Sequence, residues 1–235
     1  MFDEPDLTTS IYRQYVDLHT SLEVYLLTTG SEAFEAGISI VRPVAKKPLF
    51  DFDPSTYAYF LGPSVFVDPI LKSNVSSHRV EFPKGKDYVD WFNKSLIYKG
   101  GSSLDYSCPL DGGKYPVFHV RGNLIPIFPR PQRNSDLLVP KETDEIEMLL
   151  PCPQEGDEHT VVIRRFQMAS QRVSYGFHDD TLTIQCTAHV RPLSFRVTGL
   201  EKQFKMASIS NAKQEDDCLS FKTTCEKGRV IKIKF

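Results

Sequence analysis

Residues 13–43 read RQYVDLHTSLEVYLLTTGSEAFEAGISIVRP and are the only stretch of the chain that predicts a long helix followed by a strand. Apolar residues recur there at spacings of three and four, which is the pattern of one helical face. They are Ile11, Tyr15, Leu18, Leu22 and Tyr25, flanked by Tyr12, Val16, His19, Leu26 and Leu27. This arc is wider than the roughly one third of the circumference that a single neighbour covers, so we expect two packing partners.

The end of the helix is marked by glycines. Gly30 and Ser31 are expected to bend or restart it, and Gly37 is expected to end it, because glycine tolerates the left-handed position after a helix. The following segment ISIVRPV, residues 38–44, predicts a buried strand.

From Pro43 onward, short runs rich in Val, Ile, Phe and Tyr alternate with clusters of Gly, Pro, Asn and Asp, which is typical of β-sandwiches. The passage FPRPQRNSD, residues 128–136, is interpreted as a linker. We therefore predict a mainly β chain with one sandwich over residues 48–130 and a second over residues 131–235. The predicted strands are 57–62, 64–71, 78–82, 115–122, 123–128, 145–150, 159–168, 171–177, 181–187, 193–199, 204–210, 218–224 and 229–235.

The charge of the chain excludes some classes of partner. A net charge of −2 leaves no general basic field, so we expect no nucleic-acid partner. No apolar run approaches the roughly 20 residues that cross a bilayer, so no membrane span is expected. The N-terminus MFDEPDLTTS is acidic, so no signal peptide is predicted.

Two segments match the acceptor pattern for N-glycosylation. They begin at Asn74 and Asn93, and each has Ser two positions later. The pattern has meaning only in a secretory lumen, so a secretory or lysosome-like compartment is one alternative and the location stays open.

The cysteines do not indicate a metal site. They are five in number, with no C-x-x-C pair, and no histidine stands at zinc-ligand spacing. We expect neither a metal nor a cofactor. Cys218 and Cys225 are spaced for a bridge across a hairpin, although free buried thiols are the favoured interpretation for cysteines of this kind.

The chain lacks the motifs of a nucleophile elbow, a phosphate-binding loop, a dinucleotide site and an H-E-x-x-H metalloprotease. Glycoside hydrolysis needs two carboxylates about 5 to 10 Å apart, and four neighbouring pairs are candidates. They are Asp51 and Asp53, Asp87 and Asp90, Asp179 and Asp180, and Asp216 and Asp217. Their loop context favours turn-forming hydrogen bonds over catalysis.

Two further side chains have the chemistry of site residues. His19 lies on the predicted helix and has the chemistry of a general base, but a packed or capping histidine is favoured. Trp91, the only tryptophan, lies among aromatic residues in DYVDWF. It is a weak candidate for stacking against a sugar, and a core role is favoured.

An ordered series of short motifs begins near the N-terminus. Its first members are Glu4-Pro5, Leu22, Tyr25, Leu26, Glu32-Ala33, Gly37 and Arg42-Pro43. In this order they resemble the end of the catalytic barrel in glycoside hydrolase family 31, the family of α-glucosidases and α-xylosidases. Later landmarks of the resemblance are Phe60-Leu61-Gly62, Val67, Pro69, and the segments VEFPKGKDYVDWF, YKGG, CPLD and YPVFHVRGNLIPI.

The departures from the family pattern are also informative. Val24 stands where the family helix usually has proline, and Asn123 replaces the second glycine of R-G-G. Beyond about residue 130 the sequence shows only the pattern of short strands and turns and no family motif, although the family has a distal β-sandwich there. The family's catalytic aspartates lie on earlier barrel strands, in motifs that do not occur in this sequence.

The resemblance therefore implies that residues 1–47 are the last helix and strand of a (β/α)₈ barrel, followed by a proximal and a distal β-sandwich. It implies no catalytic residue in this chain, so the chain alone should be inactive. A carbohydrate substrate would be bound only through the missing barrel. Two alternatives stay open. One is a freestanding carbohydrate-binding module that uses aromatic residues near Trp91. The other is an interaction protein that self-associates or binds a partner through the N-terminal helix.

Overall fold

The structure is a computed structural model that describes residues 7–44, 57–108, 114–129, 145–164, 170–187, 192–224 and 230–235. These residues form two helices and eighteen strands, so the predicted mainly β class is confirmed. The helices are α1 (Leu7–Ser21) and α2 (Glu23–Ala36). The strands of the first half are β1 (Val41–Pro43), β2 (Tyr59–Leu61), β3 (Val65–Val67), β4 (Ser77–Glu81), β5 (Tyr88–Asp90), β6 (Ile97–Tyr98), β7 (Ser103–Ser107), β8 (Val117–Val120) and β9 (Ile125–Ile127). Those of the second half are β10 (Ile146–Pro151), β11 (Glu158–Ile163), β12 (Gln171–His178), β13 (Thr181–Thr187), β14 (Pro192–Thr198), β15 (Met206–Ala207), β16 (Lys213–Glu215), β17 (Cys218–Thr224) and β18 (Val230–Lys234).

The predicted single helix is two helices that meet at Leu22. The expected restart at Gly30 and Ser31 is wrong, because both residues lie inside α2, and a bend there stays a prediction. The expected end at Gly37 is confirmed. Gly37 has φ 64°, and its N–H donates to the carbonyl oxygen of Ala33, which satisfies a carbonyl that the helix end leaves free.

The strands form four sheets. A six-stranded sheet has the order β1-β2-β3-β8-β5-β6 and faces a two-stranded sheet of β4 and β7. Two five-stranded sheets follow, in the orders β16-β17-β14-β10-β9 and β11-β12-β13-β18-β15. Every pair is antiparallel except β10 with β14, within the ladders that the structure describes.

Both faces of the six-stranded sheet are buried at its central strands β3, β8 and β5. Val65 and Val67 of β3 point into one apolar cluster, and Phe66 between them points into another, because side chains alternate along a strand. The second cluster is the aromatic core beneath β4 and β7, where Phe66, Phe82 and Phe118 meet. All three residues of β3 are therefore buried, as is typical of a central strand.

The first of these clusters joins the helices to both halves of the chain. It contains Leu22, Tyr25, Val65, Val67, Val117, Ile125 and Leu149. We call this set the junction cluster. A third cluster fills the space between the two five-stranded sheets, and it includes Val24 of α2 beside Met148 and Phe195. Since α2 contributes to the junction cluster and to the second core, the expectation of two packing partners is met.

A single tyrosine fixes α2 to the first sheet. The hydroxyl of Tyr25 donates to the carbonyl oxygen of Leu61 at 2.7 Å and accepts from the N–H of Ser64 at 3.0 Å. Gly62 lies against the hydroxyl end of this ring in a left-handed conformation, with φ 60°. A Cβ atom at Gly62 would come within 2.5 Å of the Tyr25 hydroxyl and 2.6 Å of Cγ2 of Thr29. The turn is therefore restricted to glycine both by its φ angle and by the space available.

The structure differs from several predicted strands. The strand expected over residues 38–44 has three residues, β1, and is not buried, since Val41 is 51% exposed at the sheet edge. Strands β5, β6, β7 and β16 were not predicted, because they are two to five residues long and show no long alternating run. The sequence interpreted as a linker begins at Phe128 and lies from residue 130 onward outside the described residues.

Two ladders cross the predicted division of the chain. β1, assigned by the resemblance to the barrel, pairs with β2 as the edge of the six-stranded sheet. β9, from the segment assigned to the first sandwich, pairs with β10 in a sheet of the second half. The division at residues 47 and 130 itself stays a prediction.

The suggested bridge between Cys218 and Cys225 does not form, because Cys218 is a free thiol. Cys108 and Cys152 are also free and are buried, in agreement with the favoured interpretation. Cys186 is disulfide-bonded, and Cys225 lies outside the described residues.

Gly62→Ala is expected to lower the free energy of unfolding by about 2–5 kcal/mol, because left-handed strain adds to overpacking against Tyr25 and Thr29. Gly37→Ala is the matched control. Gly37 has nearly the same φ angle, 64°, but a Cβ atom there meets nothing within 4 Å. We expect this variant to lose about 1–2 kcal/mol. Urea unfolding measures both, and equal losses would contradict the close contact at Gly62.

Candidate functional site

A groove of about 750 Å³ lies along one side of α2. Its apolar lining consists of Leu26, Leu27, Phe34 and Ile40, and its polar rim includes His19, Glu23, Glu35 and Arg164. Phe34 is 90% exposed, which is unusual for a large aromatic side chain in a helix. We call this set of residues the α2 groove.

Arg164 connects one end of the groove to the second half of the chain. Its guanidinium group binds both carboxylate oxygens of Glu35, with 2.7 Å between Nη2 and Oε2. Its backbone N–H donates to the hydroxyl of Thr28 at 3.1 Å, and Thr28 is buried. An exposed ion pair contributes little by itself. Together with the bond to Thr28, however, it holds α2 against the end of β11.

Helix α1 also carries exposed apolar side chains, and none of its residues is buried. Tyr12 is 69% exposed and Val16 is 42% exposed. Tyr15, on an adjacent face of α1, makes edge contacts with Phe92 and Tyr115 at ring-centroid distances of 6.2 and 6.3 Å. The wide apolar arc predicted from the sequence is thus divided between packed residues and residues open to solvent.

Trp91 lies at a different place, where β5 ends beside β8. Its ring is stacked on His119, with 3.9 Å between ring centroids and an interplanar angle of 6°. The ring also packs against the junction cluster. Nζ of Lys94 lies 4.7 Å from the Trp91 ring centroid and 2.5 Å from Nε2 of His119. We call Trp91, Lys94 and His119 the Trp91 triad.

The packing of Trp91 resembles that of a core residue more than that of a sugar platform. His119 covers part of the ring, and the junction cluster takes up more of its surface. The residue keeps partial exposure, so sugar stacking stays a prediction.

Burial controls the protonation of the Trp91 triad. Removal from water lowers the pKa of His119 well below its ordinary value, and the neighbouring Lys94 lowers it further. Burial likewise lowers the pKa of Lys94 to about 7, against a smaller opposing effect of Asp90. The imidazole is therefore neutral at neutral pH, and Lys94 is close to its titration midpoint.

The described candidate aspartates either accept backbone N–H groups or lie in turns. Asp90 accepts from the N–H groups of Phe92 and Asn93 at 2.7 and 2.8 Å, and Asp87 accepts from the N–H of Gly100 at 3.1 Å. Three others have left-handed backbones in turns: Asp179, Asp180 and Asp216 have φ 51°, 55° and 51°. Asp51 and Asp53 lie outside the described residues.

The remaining predicted site residues are exposed. His19 lies at the rim of the α2 groove. Asn74 has φ 58° in a turn between β3 and β4. Asn93 lies in the turn after β5, where its side-chain oxygen accepts from the N–H of Ser95 at 3.2 Å. Both asparagines are open to solvent, and their glycosylation stays a prediction.

Lys94 and His119 were not singled out from the sequence. They are 25 positions apart, and neither lies in a motif that predicts a titrating pair. The only available signal is His119 at an inward position of the apolar run YPVFHV.

The part of the chain that the structure describes has neither a metal-binding cluster nor a membrane-spanning helix. No group of three or more His, Cys, Asp or Glu side chains is placed to hold a metal ion there. Neither α1 nor α2 is long and apolar enough to cross a membrane.

Lys94→Met is expected to reduce the rise of stability with pH above neutrality. Lys94 has a native pKa of about 7, whereas a lysine in the unfolded chain titrates near about 10.4. Between these values the unfolded state binds more protons, so the wild-type free energy of unfolding rises with pH. Below this window both states are protonated and the contribution is constant.

Urea unfolding of both proteins between about pH 6 and pH 9 measures this slope. Lys99→Met is the control, because Lys99 is exposed in the same region. The same pH slope in the wild type and in Lys94→Met would contradict the effect of burial on Lys94.

Residues 37–125 match the family model described as the glycosyl hydrolase family 31 C-terminal domain. An α-glucosidase from Aspergillus oryzae is 32% identical over 111 residues, which are 44% of this chain and 11% of that enzyme. An α-glucosidase from Aspergillus niger is 28% identical over 111 residues, with the same coverage of 44% and 11%. The chain thus spans about a tenth of the length of these relatives.

A family 31 dextranase from Flavobacterium johnsoniae has the same fold, with a TM-score of 0.77 at 18% identity. The alignment covers 97% of this chain and 33% of the dextranase chain. The matched segment contains Gly62, which packs on Tyr25, and the Trp91 triad. The resemblance seen in the sequence motifs is therefore confirmed, and residues 37–125 are similar to the C-terminal domain of glycoside hydrolase family 31.

Proposed function

We propose that this chain acts as the C-terminal, non-catalytic portion of a family 31 glycoside hydrolase that cleaves O-glycosyl bonds in the manner of an α-glucosidase. The match of residues 37–125 to the family's C-terminal domain carries the proposal. The positions of the described carboxylates support it. Asp87 and Asp90 accept backbone N–H groups, and Asp180 binds Lys202, so the proposal treats all three as structural groups.

In this proposal residues 1–47 belong to the end of a (β/α)₈ barrel, with a proximal sandwich over 48–130 and a distal one over 131–235. Strand β1 would then link the barrel to the proximal sandwich, because it pairs with β2. The substrate would be bound by the barrel, and this chain would act through packing.

The α2 groove and the exposed face of α1 are the surface proposed to meet the barrel. Phe34, Tyr12 and Val16 are too exposed for a surface without a partner. The aligned dextranase extends well beyond the part that this chain matches, which is 33% of its length. A neighbouring barrel helix would cover Leu27 and Phe34 and leave the Glu35–Arg164 pair at the rim.

The purified chain is expected to show no turnover of aryl α-glucosides. Family 31 chemistry needs two carboxylates on opposite sides of a sugar, and the proposal assigns none of the described ones to that role. Release of the aryl group, followed by absorbance, measures this. Turnover that is lost on replacing Asp87 or Asp90 by Asn would contradict the proposal.

The packing role is tested by supplying the barrel as a separate polypeptide. The barrel portion of the Aspergillus oryzae α-glucosidase, coexpressed with this chain, is expected to copurify with it and to gain α-glucosidase activity. Phe34→Asp should abolish both results, because it places a charge in an apolar contact. Met206→Asp is the control, since Met206 is 67% exposed and lies in β15, away from the helices.

Copurification that survives Phe34→Asp would exclude the α2 groove as the contact. A homodimer that is lost in Phe34→Asp, with no binding to the barrel, would instead support an interaction protein. Light scattering at several protein concentrations distinguishes these outcomes.

A further inference from the structure

A short segment between β8 and β9 is bonded to the second half of the molecule. The N–H of Gly122 donates to the carbonyl oxygen of Pro151 at 2.9 Å, and Nε of Arg121 donates to that of Cys152 at 2.8 Å. Both acceptors lie at or directly after the end of β10. We call residues 121–124 the connecting segment.

A histidine side chain completes this attachment. Nδ1 of His159, on β11, accepts from the backbone N–H of Leu124 at 3.2 Å. Leu124 is 1% exposed and belongs to the core between the two five-stranded sheets. Tyr175, which lies opposite His159 on β12, donates its hydroxyl to the carbonyl oxygen of Gly122. Strands β11 and β12 therefore hold the connecting segment at two points.

The direction of the bond from Leu124 fixes the protonation state of His159. A backbone N–H can only donate, so Nδ1 must present a lone pair, which the imidazolium ion does not have. Protonation of Nδ1 would place two N–H donors against each other and would leave the N–H of the buried Leu124 without an acceptor. The bond therefore exists only while the imidazole is neutral.

The groups that face His159 do not stabilise a positive charge on it. Burial lowers the pKa of His159 to about 4, and Lys86, in the turn before β5, adds to this effect. Burial raises the pKa of Tyr175, so its hydroxyl stays neutral. Arg121 of the connecting segment is a cation whose partner is Asp87, at 3.7 Å.

The two carboxylates that precede His159 in the chain have other partners. Asp157 accepts from the N–H of Gln154 at 2.8 Å, and Glu158 lies 2.9 Å from Nε2 of His178. Within the described residues, no carboxylate pairs with the imidazole of His159. Acidification therefore adds a charge at this position without adding a partner for it.

We propose that His159 is an acid-sensitive latch that holds the connecting segment to the second half of the molecule. Uptake of one proton by Nδ1 breaks the bond from Leu124, and the imidazolium ion then leaves its half-buried position for water. The backbone bond of Gly122 and the side-chain bond of Arg121 remain, so the segment loosens at Leu124 without detaching. The latch does not depend on the proposed glycosidase role.

The test is amide hydrogen exchange of the full chain between about pH 7 and about pH 5, with each rate divided by its intrinsic rate at that pH. The protection of Leu124 is expected to fall at least about tenfold, because the released imidazole binds a proton near about pH 6.5 and the latched one does not. The N–H of Val120, which donates to Ser64, should keep its protection. Constant protection of Leu124, or an equal fall at Val120, would overturn the proposal.

His159→Gln is the matched variant, since an amide oxygen can accept the same bond but does not titrate in this range. The protection of Leu124 should then no longer depend on pH, whereas His19→Gln, at an exposed position, should behave as the wild type. A pH-dependent fall that persists in His159→Gln would contradict the proposal.

A measurement on the wild type gives a result even where His159→Gln does not fold. The ring-nitrogen NMR signals of His159 should show a lone pair on Nδ1 at neutral pH and a midpoint well below the ordinary value of about 6.5. A proton on Nδ1 at neutral pH, or an ordinary midpoint, would overturn the proposal.

Discussion

The hydroxyl group of Tyr25 is the contact on which the arrangement of helices and sheets depends. It bridges the carbonyl of Leu61 and the N–H of Ser64 at the turn between β2 and β3. All these groups are buried or half-buried, so losing the hydroxyl would leave backbone groups without partners at a cost of about 1–3 kcal/mol. Gly62 permits the approach because it has no Cβ atom between the turn and the ring. The helix motif and the F-L-G motif, 36 positions apart, therefore form one structural unit.

Helix α2 extends this contact to the whole molecule. Val24 enters the core of the second half, and Tyr25 enters the junction cluster beside Val65 and Leu149. Adjacent residues of a helix point about 100° apart, so two neighbours can enter two cores. Val24 also explains a departure from the family pattern. Val24 lies in the first turn of α2. Proline fits the backbone at such a position, because the N–H groups of the first turn have no helical acceptor. In this chain the valine side chain adds apolar packing at that position instead.

The candidate sites differ in how far the sequence predicted them. The breadth of the apolar arc predicted a helix with more than one partner, and the α2 groove with its exposed Phe34 is the part that stays uncovered. The sequence indicated only one member of the Trp91 triad. Trp91 was noted as a lone aromatic residue, but its stacking on His119 arises because β8 lies beside β5 in the sheet. No local pattern encodes that strand order, so the pairing of Lys94 with His119 could not be predicted.

The sequence by itself determined the mainly β class, the end of the helix at Gly37 and the resemblance to family 31, because periodicity, turn chemistry and ordered motifs are local properties of the chain. Only the tertiary structure decided where the helix divides, that β9 pairs with β10 across the predicted boundary, and which aspartates serve turns. It also decided the protonation of Lys94. Desolvation and ring contacts come from residues that are distant in the chain, and these long-range contacts are absent until the sheets have formed.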